Sequence, residues 1–173
     1  MSEFLKNLKS AEAFIFDVDG VLTDGSVLVT EDGHMLRNMS IKDGFAIQLA
    51  IKLNMRIAII TGGSSKGVVK RLQGLGVKDV FSGVSDKIEV LDNYLAEHGI
   101  KPENCLYMGN DIPDLAIMKR VGLSTCPANA AADVIQACHY VSPIEGGKGC
   151  VRDVLEKAMR VQDLWNPEVQ GSW

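Results

Sequence analysis

Twelve residues near the start of the chain, Phe14-Ile15-Phe16-Asp17-Val18-Asp19-Gly20-Val21-Leu22-Thr23-Asp24-Gly25, decide the fold. The stretch begins as an apolar run rich in aromatic and β-branched residues, which predicts a buried strand that ends at the first carboxylate. Side chains two positions apart on a strand point the same way, so we expect Asp17 and Asp19 to lie side by side. Neighbouring carboxylates repel, and a Mg²⁺ ion bound between them would remove that conflict.

The alternative interpretation of the same residues is an acidic turn. In such a turn each Asp accepts hydrogen bonds from nearby backbone N–H groups and binds nothing else. A short motif such as Asp-x-Asp-Gly matches by chance too often to exclude this alternative alone. The stretches that follow decide between the two interpretations.

Size and composition limit the possible functions. The 173 residues suit a single domain over residues 1–173, and the net charge of −4 argues against a general surface for nucleic acid or acidic membranes. Any phosphate site must therefore be a local concentration of positive charge. The chain has no apolar run long enough to span a bilayer and no export signal, and its four cysteines are scattered, so we expect reduced thiols and a cytoplasmic protein.

The rest of the chain alternates predicted strands with predicted helices, which indicates an α/β fold: a Rossmann-like parallel sheet flanked by helices. Predicted strands after the first end at Ile60, Phe81, Met108, Thr125 and Val141. One segment departs from the alternation. Asp32-Gly33 lies between two apolar runs and predicts a β-hairpin over about residues 26–39, where a helix would ordinarily follow the first strand. A two-stranded ribbon is marginal alone, so we expect this one to pack on a neighbouring subunit.

Residues that could bind a ligand or take part in catalysis follow three of the predicted strands. Asp17 and Asp19 follow the first, Thr61-Gly62-Gly63 the second, and Asn110-Asp111 a later one. In parallel sheets ligands bind beyond the carboxyl ends of the strands, so these residues are expected to converge. Lys87 adds a cation in the first turn of a predicted helix, where the helix dipole disfavours it, so it is either a tolerated surface lysine or a partner for a bound anion.

The order of these residues resembles the four motifs of the haloacid dehalogenase superfamily of phosphatases. The hairpin, Lys42-Asp43-Gly44 and Gly146-Gly147-Lys148-Gly149 are similar, more particularly, to the 3-deoxy-D-manno-octulosonate 8-phosphate (KDO 8-phosphate) phosphatases. The resemblance covers about residues 10–160. It implies a cap-less, Mg²⁺-dependent homotetramer, in which hairpins form a central barrel and a neighbouring subunit covers the active site.

The resemblance also implies roles for single residues. Asp17 would be the nucleophile that becomes an aspartyl phosphate, and Asp19 would protonate the leaving group and then activate water. Thr61 and Lys87 would hold the phosphoryl oxygens. Magnesium would bind Asp17, the backbone carbonyl of Asp19 and the fourth motif, Asn110 or Asp111. Mg²⁺ and a lysine neutralise the charge that otherwise repels a carboxylate from a phosphate ester.

Three positions depart from the family pattern. Asn110 stands where the family usually has a metal-binding Asp, which removes one negative charge, and Asp111 or Asp114 is a candidate to compensate. Gly63 stands where the family tends to have an Arg that helps to recognise the sugar acid. Lys148 stands where the family often has Arg. We therefore expect Gly62, Gly63, Lys66 and, from a neighbouring subunit, Lys148 to contact the substrate.

Two alternatives to a KDO 8-phosphate phosphatase stay open at this stage. The first is a phosphatase for a nine-carbon ulosonate 9-phosphate, which would share the chemistry and differ only at the pocket rim. The second, of another class, is a weakly active or inactive tetramerisation module. A phosphomutase is disfavoured because the chain has no room for a cap that would keep water from the aspartyl phosphate. The tail, residues 164–173, has no periodic pattern, and we expect it to be mobile or docked elsewhere.

Overall fold

The computed structural model describes residues 3–166. Within that range, a six-stranded parallel sheet and a separate two-stranded ribbon account for all the strands. The sheet has the order β5-β4-β1-β6-β7-β8, and the ribbon pairs β2 with β3. The strands are β1 (Ala13–Phe16), β2 (Leu28–Val29), β3 (Met35–Leu36), β4 (Arg56–Ile60), β5 (Asp79–Phe81), β6 (Cys105–Met108), β7 (Leu123–Cys126) and β8 (Tyr140–Val141).

Helices cover both faces of the sheet, which confirms the predicted α/β class. Two short 3₁₀ turns, Pro102–Asn104 and Ile112–Asp114, flank β6. The α-helices are α1 (Glu3–Ser10), α2 (Ile41–Lys52), α3 (Lys66–Gly74), α4 (Lys87–His98), α5 (Leu115–Met118), α6 (Ala132–Ala137) and α7 (Cys150–Val161). No helix among residues 3–166 is both long and apolar enough to cross a membrane.

Strand β1 lies at the centre of the sheet and is buried along its whole length. Phe14 and Phe16 point into the core on the side of α2 and α7, whereas Ala13 and Ile15 point into the core on the side of α4. Burying each of the two Phe side chains stabilises the fold by roughly 1.5–3 kcal/mol. A continuous apolar run is typical of a strand buried on both faces, which is the position that β1 occupies.

The hairpin is confirmed. Strands β2 and β3 pair antiparallel with Leu28 opposite Leu36, and Gly33 adopts a positive φ of 83° in the turn between them. The ribbon projects from the body with several apolar side chains more than half exposed, namely Leu28, Val29, Met35 and Leu36. Among the described residues, therefore, more than half of each of these side chains is left uncovered.

The loop after β1 is a compact turn over which a second loop is packed. The carbonyl of Val18 accepts hydrogen bonds from the N–H groups of Val21, Leu22 and Thr23. Gly146 and Gly147 lie against this turn so closely that a Cβ at Gly146 would come within 1.9 Å of the Gly20 carbonyl oxygen. The glycines of the Gly146-Gly147-Lys148-Gly149 stretch thus allow close contact between two loops.

Local sequence sets the starts of two helices. Helix α2 has Ser40 as its N-cap, so Lys42-Asp43-Gly44 lies inside the helix. Helix α6 begins at Ala132, since the residues before it form a turn. In the tail, Leu164 and Trp165 pack against the core. The remainder of the predicted tail, residues 167–173, lies outside the described residues.

Candidate active site

The carboxyl ends of β1, β4 and β6 meet at one cleft, as the sequence predicts. Register places Phe16 beside Ile59 on one side and Met108 on the other, so the residues that follow these strands are neighbours. The cleft has a volume of about 310 Å³. Most of the predicted residues line it, together with Gly25, Pro113 and Asp114: Asp17, Asp19, Thr61, Gly62, Gly63, Lys87, Asn110 and Asp111.

Lys87 reaches from the first turn of α4 into the base of this cleft. Its Nζ lies 3.2 Å from Asp17 Oδ1 and 2.7 Å from Asp114 Oδ1. Its side chain is only 12% exposed, so the alternative of a tolerated surface lysine is wrong. The cation that the helix dipole disfavours is held there by two carboxylates.

Asp17 is a buried carboxylate in an unfavourable environment. Burial raises its pKa to about 6, the charge of Asp114 adds to that rise, and the charge of Lys87 opposes it. Oδ1 of Asp17 is buried and has no well-directed hydrogen bond from the described residues, although the Lys87 ammonium lies 3.2 Å from it as an ion-pair partner. A buried carboxylate oxygen without a donor is suited to a cation ligand.

Asp114 holds Lys87 in place. Its Oδ1 accepts hydrogen bonds from Lys87 Nζ and from the Tyr107 hydroxyl, both at 2.7 Å. Its Oδ2 accepts from the backbone N–H groups of Asn110 and Asp111, at 2.9 and 3.3 Å. Four donors surround this buried carboxylate, so it positions Lys87 and the fourth-motif loop and has little capacity left for a metal.

Asp19 is held by a residue to which the sequence analysis assigned no role. Arg37, just after β3 on the hairpin, donates from Nε to Asp19 Oδ1 at 2.7 Å and from Nη2 to Oδ2 at 3.2 Å. The Arg37 side chain is 7% exposed and that of Asp19 is 39% exposed. A parallel, two-pronged pair of this kind is among the stronger and more directional ion pairs in proteins.

The residues present fit a magnesium ion, although among residues 3–166 no three His, Cys, Asp or Glu side chains form a metal-binding group. The donor set must therefore include neutral oxygens. The side chain of Asn110 lies directly over Gly20, where a Cβ would come within 2.5 Å of its Cγ. Asn110 thus approaches the Asp17–Gly20 turn. Asp111 is exposed, and its Oδ1 caps the following turn by accepting from the Ile112 N–H at 2.8 Å.

Thr61 continues β4 into the cleft. It is 4% exposed, its N–H donates to the Phe81 carbonyl, and its carbonyl accepts from the Val84 N–H. Its Oγ1 accepts a hydrogen bond from the Gly63 N–H at 3.2 Å, which leaves the hydroxyl proton to donate elsewhere. This geometry suits the predicted contact with a phosphoryl oxygen.

Two predicted substrate contacts lie outside the cleft. Lys66 lines an adjoining groove of about 770 Å³ between the hairpin and α3, with Arg37 and Arg71. Lys148 lines a separate groove of about 620 Å³ with Lys42 and Arg152. Within one chain, then, the structure does not bring Lys148 to the cleft.

Asp24 and Asp43 both accept hydrogen bonds from nearby backbone, Asp24 within its own loop, as Asp commonly does in turns, and Asp43 from the first turn of α2. Oδ1 of Asp24 accepts from the N–H and hydroxyl of Ser26, at 2.9 and 2.6 Å. Oδ1 of Asp43 accepts from the Arg152 N–H at 2.8 Å and so ties α2 to the start of α7. Burial raises the pKa of Asp43 to about 6.

Arg37 and Tyr107 are the residues that the sequence analysis missed. A signal for Arg37 existed: it is a cation that ends an apolar run in a hairpin directly following the Asp17–Asp19 turn. Tyr107 gave none, since an aromatic residue inside a buried strand is ordinarily core. For Asp114, the spacing Asp111-x-x-Asp114 around a Pro predicts a capping box, which the structure has.

Comparison with known proteins assigns the family. The haloacid dehalogenase-like hydrolases match over residues 73–151. The 3-deoxy-D-manno-octulosonate 8-phosphate phosphatase KdsC of Salmonella typhi is 38% identical over 148 residues, which cover 86% of this chain and 79% of that protein.

Solved structures agree. The phosphatase of the same name from Yersinia pestis superposes with a TM-score of 0.91 at 34% identity, over 93% of this chain and 87% of that one. The Moraxella catarrhalis phosphatase, in complex with magnesium, phosphate and KDO, gives a TM-score of 0.90 at 31% identity over 94% of each chain. These matches confirm the predicted fold, hydrolase class and cofactor Mg²⁺. The chain belongs to the 3-deoxy-D-manno-octulosonate 8-phosphate phosphatase family of haloacid dehalogenase-like hydrolases.

Proposed function

We propose that this protein hydrolyses KDO 8-phosphate to KDO and inorganic phosphate, with Asp17 as the nucleophile. The observation that carries the proposal is the placement of Lys87 Nζ 3.2 Å from Asp17 Oδ1 at the base of the cleft. A cation at this distance neutralises charge on a phosphoryl group approaching Asp17. The substrate itself follows from the relatives, which are named for KDO 8-phosphate.

Each of these side chains has a stated role in the proposal. Asp17 attacks phosphorus and becomes an aspartyl phosphate, while Thr61 and Lys87 hold phosphoryl oxygens. Asp19 gives a proton to the departing sugar oxygen and then takes one from the water that hydrolyses the aspartyl phosphate. Asp17, the Asp19 carbonyl and the Asn110 side chain would hold Mg²⁺, with Asp111 as the alternative fourth-motif ligand. Bound Mg²⁺ supplies positive charge to the phosphoryl oxygens.

The sugar acid is proposed to extend from the cleft over Gly62 and Gly63 into the groove beside the hairpin. Lys66 is exposed there, where its ammonium can meet the substrate carboxylate. Lys148 would act only from a neighbouring subunit. Leu28 and Val29, 68% and 60% exposed, support the proposed homotetramer in which hairpins associate. Four free cysteines fit the proposed cytoplasmic location.

The test is phosphate release with Mg²⁺ against a panel of eight- and nine-carbon sugar-acid phosphates, with light scattering on the same sample. We expect the highest kcat/KM for KDO 8-phosphate and a tetrameric mass. A higher value for a nine-carbon 9-phosphate would replace the proposed substrate. A tetramer that releases phosphate from none of them would instead favour an assembly module.

A further inference from the structure

Arg37 is anchored at three points between the hairpin and the cleft. Besides its two bonds to Asp19, Nη1 donates to the carbonyl of Met35 in β3 at 3.1 Å. The guanidinium is therefore held by its own ribbon on one side and holds a carboxylate on the other. Because the Arg37 side chain is only 7% exposed, few alternative positions are open to it.

Gly63 provides the space for this ion pair. A Cβ at position 63 would come within 2.7 Å of Asp19 Oδ2 and would lie 3.7 Å from Arg37 Nη2. The first distance is shorter than real Cβ contacts allow, so the Asp19 carboxylate would have to move. A side chain at position 63 would therefore displace the Asp19 carboxylate from its present place in the pair with Arg37. Gly63 thus supplies no cation after Thr61-Gly62, and Arg37 of the hairpin places one nearby instead.

We propose that Arg37 is the positioning residue for Asp19. Gly63, which has no side chain, leaves the space in which the Asp19–Arg37 pair forms. The inference rests on the proposed function, in which Asp19 transfers protons. Each carboxylate oxygen has two acceptor positions, and Arg37 occupies one on each. The other positions stay open toward the cleft, where the leaving oxygen and later the water would lie. Fixing a proton-transfer group in this way typically changes rates by about 10- to 100-fold.

The structure contains a matched ion pair outside the cleft. Arg120 donates from Nε and Nη2 to the two oxygens of Asp92, at 2.9 and 3.2 Å, with both side chains about half exposed. This pair has the same geometry as the Asp19–Arg37 pair but touches no cleft residue in the described contacts. Arg120→Ala is therefore the control for Arg37→Ala.

The first experiment measures kcat and KM with KDO 8-phosphate and Mg²⁺. We expect Arg37→Ala to lower kcat about 10- to 100-fold while KM changes less than about 3-fold. The kcat of Arg37→Lys should lie between those of the wild type and Arg37→Ala, because one ammonium group cannot bond both carboxylate oxygens as the two-pronged guanidinium does. Arg120→Ala should match the wild type. An unchanged kcat in Arg37→Ala, or a raised KM at wild-type kcat, would overturn the assignment.

The second experiment separates positioning of Asp19 from a general loosening of the site. With p-nitrophenyl phosphate the leaving group departs without a proton, so forming the aspartyl phosphate does not need Asp19. Arg37→Ala should keep the rate of the pre-steady-state nitrophenol burst, while steady-state turnover slows because water still needs the Asp19 base. A burst that slows as much as turnover would mean that Asp17 is disturbed too and would overturn the proposal.

The third experiment tests whether Arg37 and Gly63 act on the same group. Gly63→Ala alone should lower kcat by displacing Asp19. Added to Arg37→Ala, the same substitution should lower kcat little further. Additive losses would contradict the coupling. A wild-type protein that hydrolyses neither ester would overturn the proposed function and this inference together. A fully active Arg37→Ala variant would overturn only the inference.

Discussion

The two walls of the cleft are built differently. The inner wall, Asp17, Lys87, Tyr107 and Asp114, comes from strand ends and a helix start, and the side chains of its three charged members are at most 12% exposed. The outer wall, formed by Asp19, Arg37 and Gly63 and continued by Lys66 in the adjoining groove, comes from loops, the hairpin and the start of α3, and Asp19 there is 39% exposed. The sheet fixes the inner wall through its register. The outer wall depends on where a projecting ribbon lies.

This difference assigns the two walls different work. A buried, hydrogen-bonded network holds charges in place before the substrate arrives, which is what phosphoryl transfer requires. An exposed wall of loops can change its side chains without disturbing the core, which is what substrate choice requires. Substitutions in the inner wall should therefore lower kcat strongly. In the outer wall, substitutions of Asp19 and its partner Arg37 should also act on kcat, whereas those of Lys66 should act on KM.

The largest effect is expected at Asp17. Asp17→Asn should lower phosphate release at least about 10³-fold, because an amide cannot form the aspartyl phosphate. Burial already makes the charged form unfavourable, so the variant should unfold at a temperature no lower than the wild type. Asp92→Asn, at an exposed ion pair, is the control. Ordinary turnover by Asp17→Asn would refute the nucleophile assignment.

The next largest effect is expected at Asp114, which touches no phosphate in the proposal. Asp114→Asn replaces one acceptor oxygen by a donor that faces other donors, so Lys87 should lose its 2.7 Å partner. We expect kcat to fall on the order of 100-fold, and stability to fall by roughly 1–3 kcal/mol. Tyr107→Phe removes only one of the four hydrogen-bond donors to Asp114, so both kcat and stability should fall less. Activity of Asp114→Asn within about 3-fold of wild type would mean that the inner wall is not preorganised.

The contrast also explains what the sequence could predict. Asp17, Thr61 and Asn110 follow apolar runs, and parallel strands must bring their carboxyl ends together, so the convergence could be derived. The tie between Arg37 and Asp19 could not, because 18 residues and a ribbon separate them, and no periodicity sets the angle of a projecting hairpin. Likewise the sequence predicts Lys87 at a helix start. Its two carboxylate partners could not be predicted, because they depend on side-chain packing.

An intermediate effect is expected at Asn110, the proposed magnesium ligand of the fourth motif. Asn110→Asp adds a negative charge beside the Asp17–Gly20 turn and should lower the Mg²⁺ concentration for half-maximal activity on the order of 10-fold. The measurement is a Mg²⁺ titration of phosphate release. Asp111→Asn serves as the comparison, since its carboxylate caps a turn and should shift the titration less. If Asp111→Asn shifts it more, Asp111 is the fourth-motif ligand.

The smallest effect is expected at Lys66 in the outer wall. Lys66→Ala should raise KM for KDO 8-phosphate about 3- to 5-fold with kcat unchanged, since an exposed cation that meets a substrate carboxylate contributes modest, uniform binding. Lys70→Ala, one turn further along α3 and outside the groove, should leave KM as it is. The rise should vanish with p-nitrophenyl phosphate, which has no carboxylate. An equal rise with both esters would mean that Lys66 meets the phosphate instead, so the division of work between the two walls would fail at this residue.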